Sequence, residues 1–136
     1  MVRSLDSRVV LVVDDEVFAR LLAVQIFLDQ GFTVLEAQDA QEALDVLDRN
    51  DDVVLLFTDV SMPGPMDGLQ LIERVAEEWP QIRCIATSGQ VDPRQGNLPG
   101  AARFLPKPYT AHHLMEAIRQ PEPGLRRGSQ QQQHAA

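Results

Sequence analysis

Asp59 closes an apolar run, Val53-Val54-Leu55-Leu56-Phe57-Thr58, and is followed by Val60-Ser61-Met62-Pro63-Gly64. A carboxylate at the C-terminal tip of a parallel strand faces the ligand crevice of an open α/β sheet. Asp14-Asp15-Glu16 follow a second apolar run, Val9 to Val13, and Lys107 follows Phe104-Leu105-Pro106. If these strand ends converge, Asp14, Asp15 and Asp59 crowd together. Ionised carboxylates a few ångströms apart repel, and each resists ionising unless cations sit among them. Lys107 supplies one positive charge, and a divalent cation would supply the rest. Oxygen-only donors without a nearby histidine or cysteine favour Mg²⁺ over zinc. Such a pocket suits attack by the Asp59 carboxylate on a phosphoryl group, giving an aspartyl phosphate. Mg²⁺ and Lys107 would neutralise charge on the transferring group. Thr87 and Ser88 both stand where a hydroxyl could bond a phosphoryl oxygen, but strand alternation lets only one serve.

The elements that must position these groups alternate between strand-like and helix-like, which argues for parallel βα units. Strands are expected at Val9–Val13, Thr33–Ala37, Val53–Thr58, Arg83–Ser88 and Ala102–Leu105. Helices are expected at Val17–Gln30, closed by Gly31, and from an Asp39-Ala40-Gln41-Glu42 capping box to about Arg49. Two more follow, at Gly68–Trp79, stopped by Pro80, and from a Thr110 cap to about Arg119. The runs of strands one and three are so apolar that both should be central and covered on two faces. Between strands four and five, Pro93, Gly96, Asn97, Pro99 and Gly100 break any long helix, so that one is expected to be short or absent. Residues 121–136 read as a flexible polar tail behind a single domain at 7–120.

Composition narrows the classes. A chain of 136 residues, 44% of them apolar, suits one domain with a real core. Its net charge of −8 argues against unspecific nucleic-acid binding. No apolar stretch approaches the roughly 20 residues of a membrane span, and no signal-peptide pattern opens the sequence. The single cysteine, Cys84, reads as a small core residue, and a cytoplasmic setting is expected. His112 and His113 are expected to have no chemical role.

Asp14-Asp15, Asp59-Val60-Ser61-Met62-Pro63, Met66-Asp67-Gly68, Ser88-Gly89 and Phe104-Leu105-Pro106-Lys107-Pro108, taken in this order, resemble the receiver domain of two-component response regulators, in the single-domain, CheY-like form. The resemblance implies a doubly wound, flavodoxin-like α/β fold with a five-stranded parallel sheet of order 2-1-3-4-5. It implies Asp59 as phosphoacceptor, with Mg²⁺ bound by Asp15, Asp59 and the Ser61 carbonyl, and by Asp14 through water. It assigns Lys107 to the phosphate, with a cis bond to Pro108, and Ser88 and Phe104 to the switch. A histidine kinase or histidine phosphotransfer protein would be the donor, and an unknown protein would receive the signal. The resemblance also marks a departure, since Gly64-Pro65 lengthens the usual loop before Met-Asp-Gly.

A turnover enzyme is not expected. A phosphatase with an aspartate nucleophile would place a second acid two positions on, where this chain has Ser61. A pseudo-receiver that never carries phosphate would not need Asp14, Asp15, Asp59, Ser88 and Lys107 together. Helix one adds an expectation of its own. Ala19, Ala23, Ile26 and Phe27 form its core side, while Val17, Leu21, Val24 and Leu28 form a second apolar stripe. That stripe is read either as scattered surface apolar residues or as a contact for a partner helix, a second copy of the chain (a homodimer) or the chain's own tail.

Overall fold

The computed structural model describes residues 8–89 and 98–119. Strands β1 (Val9–Val13), β2 (Thr33–Ala37), β3 (Val53–Asp59), β4 (Arg83–Ser88) and β5 (Arg103–Pro106) pair in parallel as β2-β1-β3-β4-β5. Helices α1 (Val17–Asp29), α2 (Ala40–Arg49), α3 (Gly68–Glu78) and α4 (Ala111–Arg119) cover both faces of the sheet. This is the doubly wound order expected above.

The sequence explains the layering. Every residue of β1 is buried, as is nearly all of β3, because helices cover both faces of these central strands. On one face Leu11 and Leu56 pack with Leu44 and Leu47 of α2 and Leu71, Ile72 and Val75 of α3. On the other, Val10, Val12 and Phe57 meet Ile26 and Phe27 of α1 and Leu114 of α4. Phe27 is fully buried and stands edge-on to Phe32 at 5.1 Å and to Phe57 at 5.7 Å. Truncating such a side chain to alanine costs roughly 3–5 kcal/mol.

Helix ends follow local chemistry. Gly31 takes φ +90 beyond α1, which glycine adopts at little cost. Asp67 and Gln70 form a reciprocal capping box on α3. The expected box on α2 is altered. Asp39 accepts from the Glu42 amide at 2.8 Å, but the Glu42 carboxylate reaches past it to the Gln38 amide. On α4, Thr110 Oγ1 accepts from the His113 amide while His113 Nδ1 accepts from the Thr110 amide, so His113 serves as a cap.

The sequence-based boundaries shift by a residue or so. The helices end at Asp29 and Glu78, with Gln30 and Trp79 as caps, and β5 runs one residue later than expected. Pro106 fits β5 because β5 is an edge strand: the next amide, that of Lys107, donates to β4, so the Pro106 nitrogen faces away from the ladder. Only the end of the breaker-rich segment is described, where Pro99–Ala101 makes one 3-10 turn. Residues 90–97 and the expected tail at 121–136 lie outside the described residues.

Candidate functional site

Adjacent central strands set the site. β1 and β3 run in parallel side by side, so the turn after Val13 and the tip of β3 emerge together. Ligand oxygens of Asp14, Asp15 and Asp59 lie within 4.8 Å of one another. Asp14 and Asp59 are buried, whereas Asp15 is exposed at the rim. The turn is held by the Asp14 amide donating to the Ala37 carbonyl at 3.2 Å and by Asp14 Oδ1 accepting from the Glu16 amide at 2.9 Å.

Lys107 enters from the far side. Its amide donates to the Ser88 carbonyl at 2.8 Å, continuing the β4–β5 ladder, and its bond to Pro108 is cis. Its Nζ then lies 3.4 Å from Asp14 Oδ2 and 3.6 Å from Asp59 Oδ1. The Asp59 carboxyl is held above the ordinary carboxylate range, first by burial and next by the negative charge of Asp14. Lys107 and a hydrogen bond from the Ser61 backbone oppose that shift, while Asp15 adds to it. The pocket therefore resists its own charge, and its all-oxygen donor set fits a hard divalent cation such as Mg²⁺.

The neighbouring groups fall as follows. Thr87 is the register partner of Asp59, and its Oγ1 is buried with no hydrogen-bond partner among the described residues. Ser88 is also buried and pairs in register with Pro106, next to Lys107. Phe104 is half-buried and lines a surface cavity of about 340 Å³ with His113 and Glu116.

The second stripe of α1 needs correction. Val17, Leu21 and Leu28 are exposed as expected, but Val24 is half-buried against the core. Phe18, 81% exposed, and Leu22, 53% exposed, belong to the open face instead. Leu22 also lines an apolar cavity of about 430 Å³ with Ala19, Gly89, Lys107, Pro108 and Tyr109, which borders the acidic pocket.

Two contributors gain their roles only from the packing: the sequence marked the place of Gly68 but not its contact, and it did not single out Tyr109. Gly68 packs so closely that a Cβ there would sit 1.9 Å from the Asp59 carbonyl oxygen, while its amide donates to Val60 O. Tyr109 stands edge-on to Phe57 at 5.6 Å. Burial, then the charges of Asp14 and Asp59, push its hydroxyl up to about 12.

This arrangement matches known proteins. The family model of the response regulator receiver domain matches residues 10–119. The sensor kinase CckA of Brucella abortus is 35% identical over 118 residues, covering 84% of this chain and 12% of that protein. A chemotaxis protein CheY homologue of Campylobacter jejuni is 33% identical over 114 residues, covering 79% of this chain and 87% of that protein. A chain of the CheX-CheY-BeF3-Mg²⁺ complex from Borrelia burgdorferi superposes with a TM-score of 0.74 at 27% identity, covering 81% of this chain and 85% of that one. The chain belongs to the response regulator receiver family, whose members are signalling domains of two-component systems rather than turnover enzymes. It spans less than half the length of CckA and of the transcriptional regulators HoxA and CpxR that it also matches. No helix among the described residues is long and apolar enough to cross a membrane.

Proposed function

We propose that this domain receives a phosphoryl group on Asp59 from the phosphohistidine of a histidine kinase or phosphotransfer protein. The observation that carries this reading is Lys107 Nζ at 3.6 Å from Asp59 Oδ1, at the edge of a cluster of carboxylates within 4.8 Å. One Asp59 oxygen attacks phosphorus, the P–N bond breaks, and its electron pair returns to the imidazole nitrogen, which takes a proton. Lys107 pairs with the transferred oxygens and so exchanges one carboxylate contact for a phosphoryl contact. Asp15, Asp59 and the Ser61 carbonyl would hold Mg²⁺, with Asp14 acting through water. Bound there, the cation would neutralise charge on the phosphoryl oxygens in the transition state. A structural neighbour from Borrelia burgdorferi, a CheX-CheY complex with BeF3 and Mg²⁺, supports a Mg²⁺-assisted reading here.

The Ser88 hydroxyl then bonds a phosphoryl oxygen, and Phe104 changes its packing in response. Ser88 is preferred to Thr87 because it directly precedes the small Gly89 and its carbonyl already holds the Lys107 amide. The exposed face of α1 at Phe18, Leu21 and Leu22, continuous with the apolar cavity beside Lys107, is a natural contact for the donor. The protein would act in the cytoplasm, through contact with a downstream protein.

Incubation with Mg²⁺ and acetyl phosphate, followed by intact-mass measurement, separates the readings. A single stable phosphoryl adduct supports the receiver. Continuous release of many equivalents of phosphate supports a phosphatase. Absence of any adduct supports a pseudo-receiver and overturns the proposal.

A further inference from the structure

The cation site proposed above depends on a turn, and the turn depends on one arginine. Arg20, on the first turns of α1, is 16% exposed and makes two separate contacts. Its Nη1 donates to the Asp14 carbonyl at 2.7 Å, and its Nε donates to Glu36 Oε1 at 3.0 Å. Its own amide donates to Glu16 O at 2.9 Å, closing the first helical bond across the acidic segment. Glu36 is fixed in turn on β2, opposite Val12 of β1. One guanidinium thus ties β2, α1 and the β1–α1 turn together.

The Asp14 carbonyl belongs to the peptide group that joins Asp14 to Asp15. Holding that oxygen sets the orientation of the peptide plane, and with it the directions in which the two carboxylates leave the backbone. Asp14 is secured in other ways, through its amide and Oδ1. Asp15 is exposed. We propose that Arg20 is a positioning residue for the cation site: it clamps the Asp14–Asp15 peptide to β2 so that both carboxylates face Asp59. This inference rests on the Mg²⁺-dependent receiver reading. The planar fork is essential, because its donors lie at fixed angles and serve two acceptors at once. A lysine in its place keeps the charge but offers a single flexible ammonium group.

The test is calorimetric titration of Mg²⁺ into the unaltered protein, Arg20→Ala, Arg20→Lys and Glu36→Ala. Arg8→Ala serves as control, since it removes a comparable tie, Arg8 to the Gln30 carbonyl, away from the acidic pocket. Outer partners of metal sites typically contribute 10–100-fold in affinity, so Arg20→Ala should weaken Mg²⁺ binding by about tenfold. Arg20→Lys should lose most of that affinity and Glu36→Ala part of it, while Arg8→Ala binds normally. The labelling rate with acetyl phosphate should recover in Arg20→Ala at saturating Mg²⁺, which a merely destabilised fold would not show. Normal Mg²⁺ affinity in Arg20→Ala, or equal affinity in Arg20→Lys and the unaltered protein, overturns the inference. If Arg20→Ala does not fold, the lysine and Glu36 variants decide. Absence of Mg²⁺ binding in the unaltered protein sinks the receiver reading itself, and this inference with it.

Discussion

Lys107 Nζ lies 3.6 Å from Asp59 Oδ1, although Asp59 ends β3 and Lys107 directly follows β5, two strands that do not pair with each other. The lysine reaches across the end of β4, held by the hydrogen bond that its backbone amide donates to the Ser88 carbonyl. Its ammonium is shared with Asp14 at 3.4 Å, so it is a counter-charge for the pocket and not a partner of one carboxylate. Lys107→Ala should therefore spare Mg²⁺ binding, since it removes a competing cation. It should also uncouple phosphate from conformational change. Calorimetry for the metal and NMR shift changes around Phe104 on phosphorylation would check both halves. Loss of metal affinity in this variant would contradict the assigned role.

Asp59 should limit the stability of the metal-free protein. Its folded carboxyl is held above the ordinary value near 3.8, so the folded state keeps a proton that the unfolded chain has lost. Stability then falls as pH rises from about 3.8 through the raised folded value, and the cost is complete above it. Asp59→Asn carries no such charge. The variant should melt higher than the unaltered protein at neutral pH, with the difference shrinking below about pH 4. Each kcal/mol relieved is worth about 3–6 °C in a domain of this size. Mg²⁺ should raise the melting temperature of the unaltered protein and have little effect on the variant, which calorimetric melts would show.

Gly68→Ala tests the close approach of α3 to the phosphoacceptor. The added Cβ would meet backbone at Asp59 and Val60, with contacts of 1.9 and 2.8 Å, so neither side can yield by a rotamer change. Overpacking of this kind costs roughly 1–3 kcal/mol. Urea unfolding should show that loss, and the labelling rate should drop because the tip of β3 moves.

Tyr109 is the only tyrosine in the chain, so the alkaline rise in absorbance near 295 nm follows it alone. Its ionisation midpoint should lie near 12 instead of the ordinary 10.0. Here too the folded state holds the proton longer. Its contribution to stability is intact below pH 10 and is lost as pH rises towards 12. Tyr109→Phe should flatten that alkaline slope. A midpoint at 10 in the folded protein would contradict the burial and charge described here.

The open face of α1 can be separated from the chemistry. Phe18→Asp and Leu22→Asp place charge on that face without touching the carboxylates. Transfer from a phosphohistidine donor should slow by about tenfold or more, as losses at interface anchors of 1–2 kcal/mol or above imply. Labelling by acetyl phosphate should be unchanged. Light scattering over a tenfold dilution, with Leu21→Asp alongside, would reveal any self-association through the same face.

Much of this was legible in the sequence for physical reasons. The all-apolar runs at Val9–Val13 and Val53–Phe57 pointed to central strands, and as neighbours in the sheet they bring Asp14 and Asp59 together. Helix ends were marked by Gly31, Asp39, Pro80 and Thr110. Less was legible where packing and not pattern decides. α1 is apolar on nearly every side, so a helical projection could not tell that Val24 leans into the core while Phe18 and Leu22 stay open. Nothing in the sequence pattern singled out Arg20, because its partners are a main-chain carbonyl and a glutamate on another strand. The place of Gly68 was marked by its Asp-Gly motif, but its contact with the Asp59 carbonyl exists only once α3 is docked.

The central claim, that Asp59 is the phosphorylated atom's host, has a direct test. The protein is incubated with Mg²⁺ and acetyl phosphate, trapped with borohydride, which reduces an acyl phosphate to the alcohol, and mapped by peptide mass spectrometry. Homoserine at position 59 alone, absent when Mg²⁺ is chelated, is the expected result. Unmodified Asp59 under conditions where Mg²⁺ is bound, or reduction at Asp14 or Asp15 instead, would contradict it.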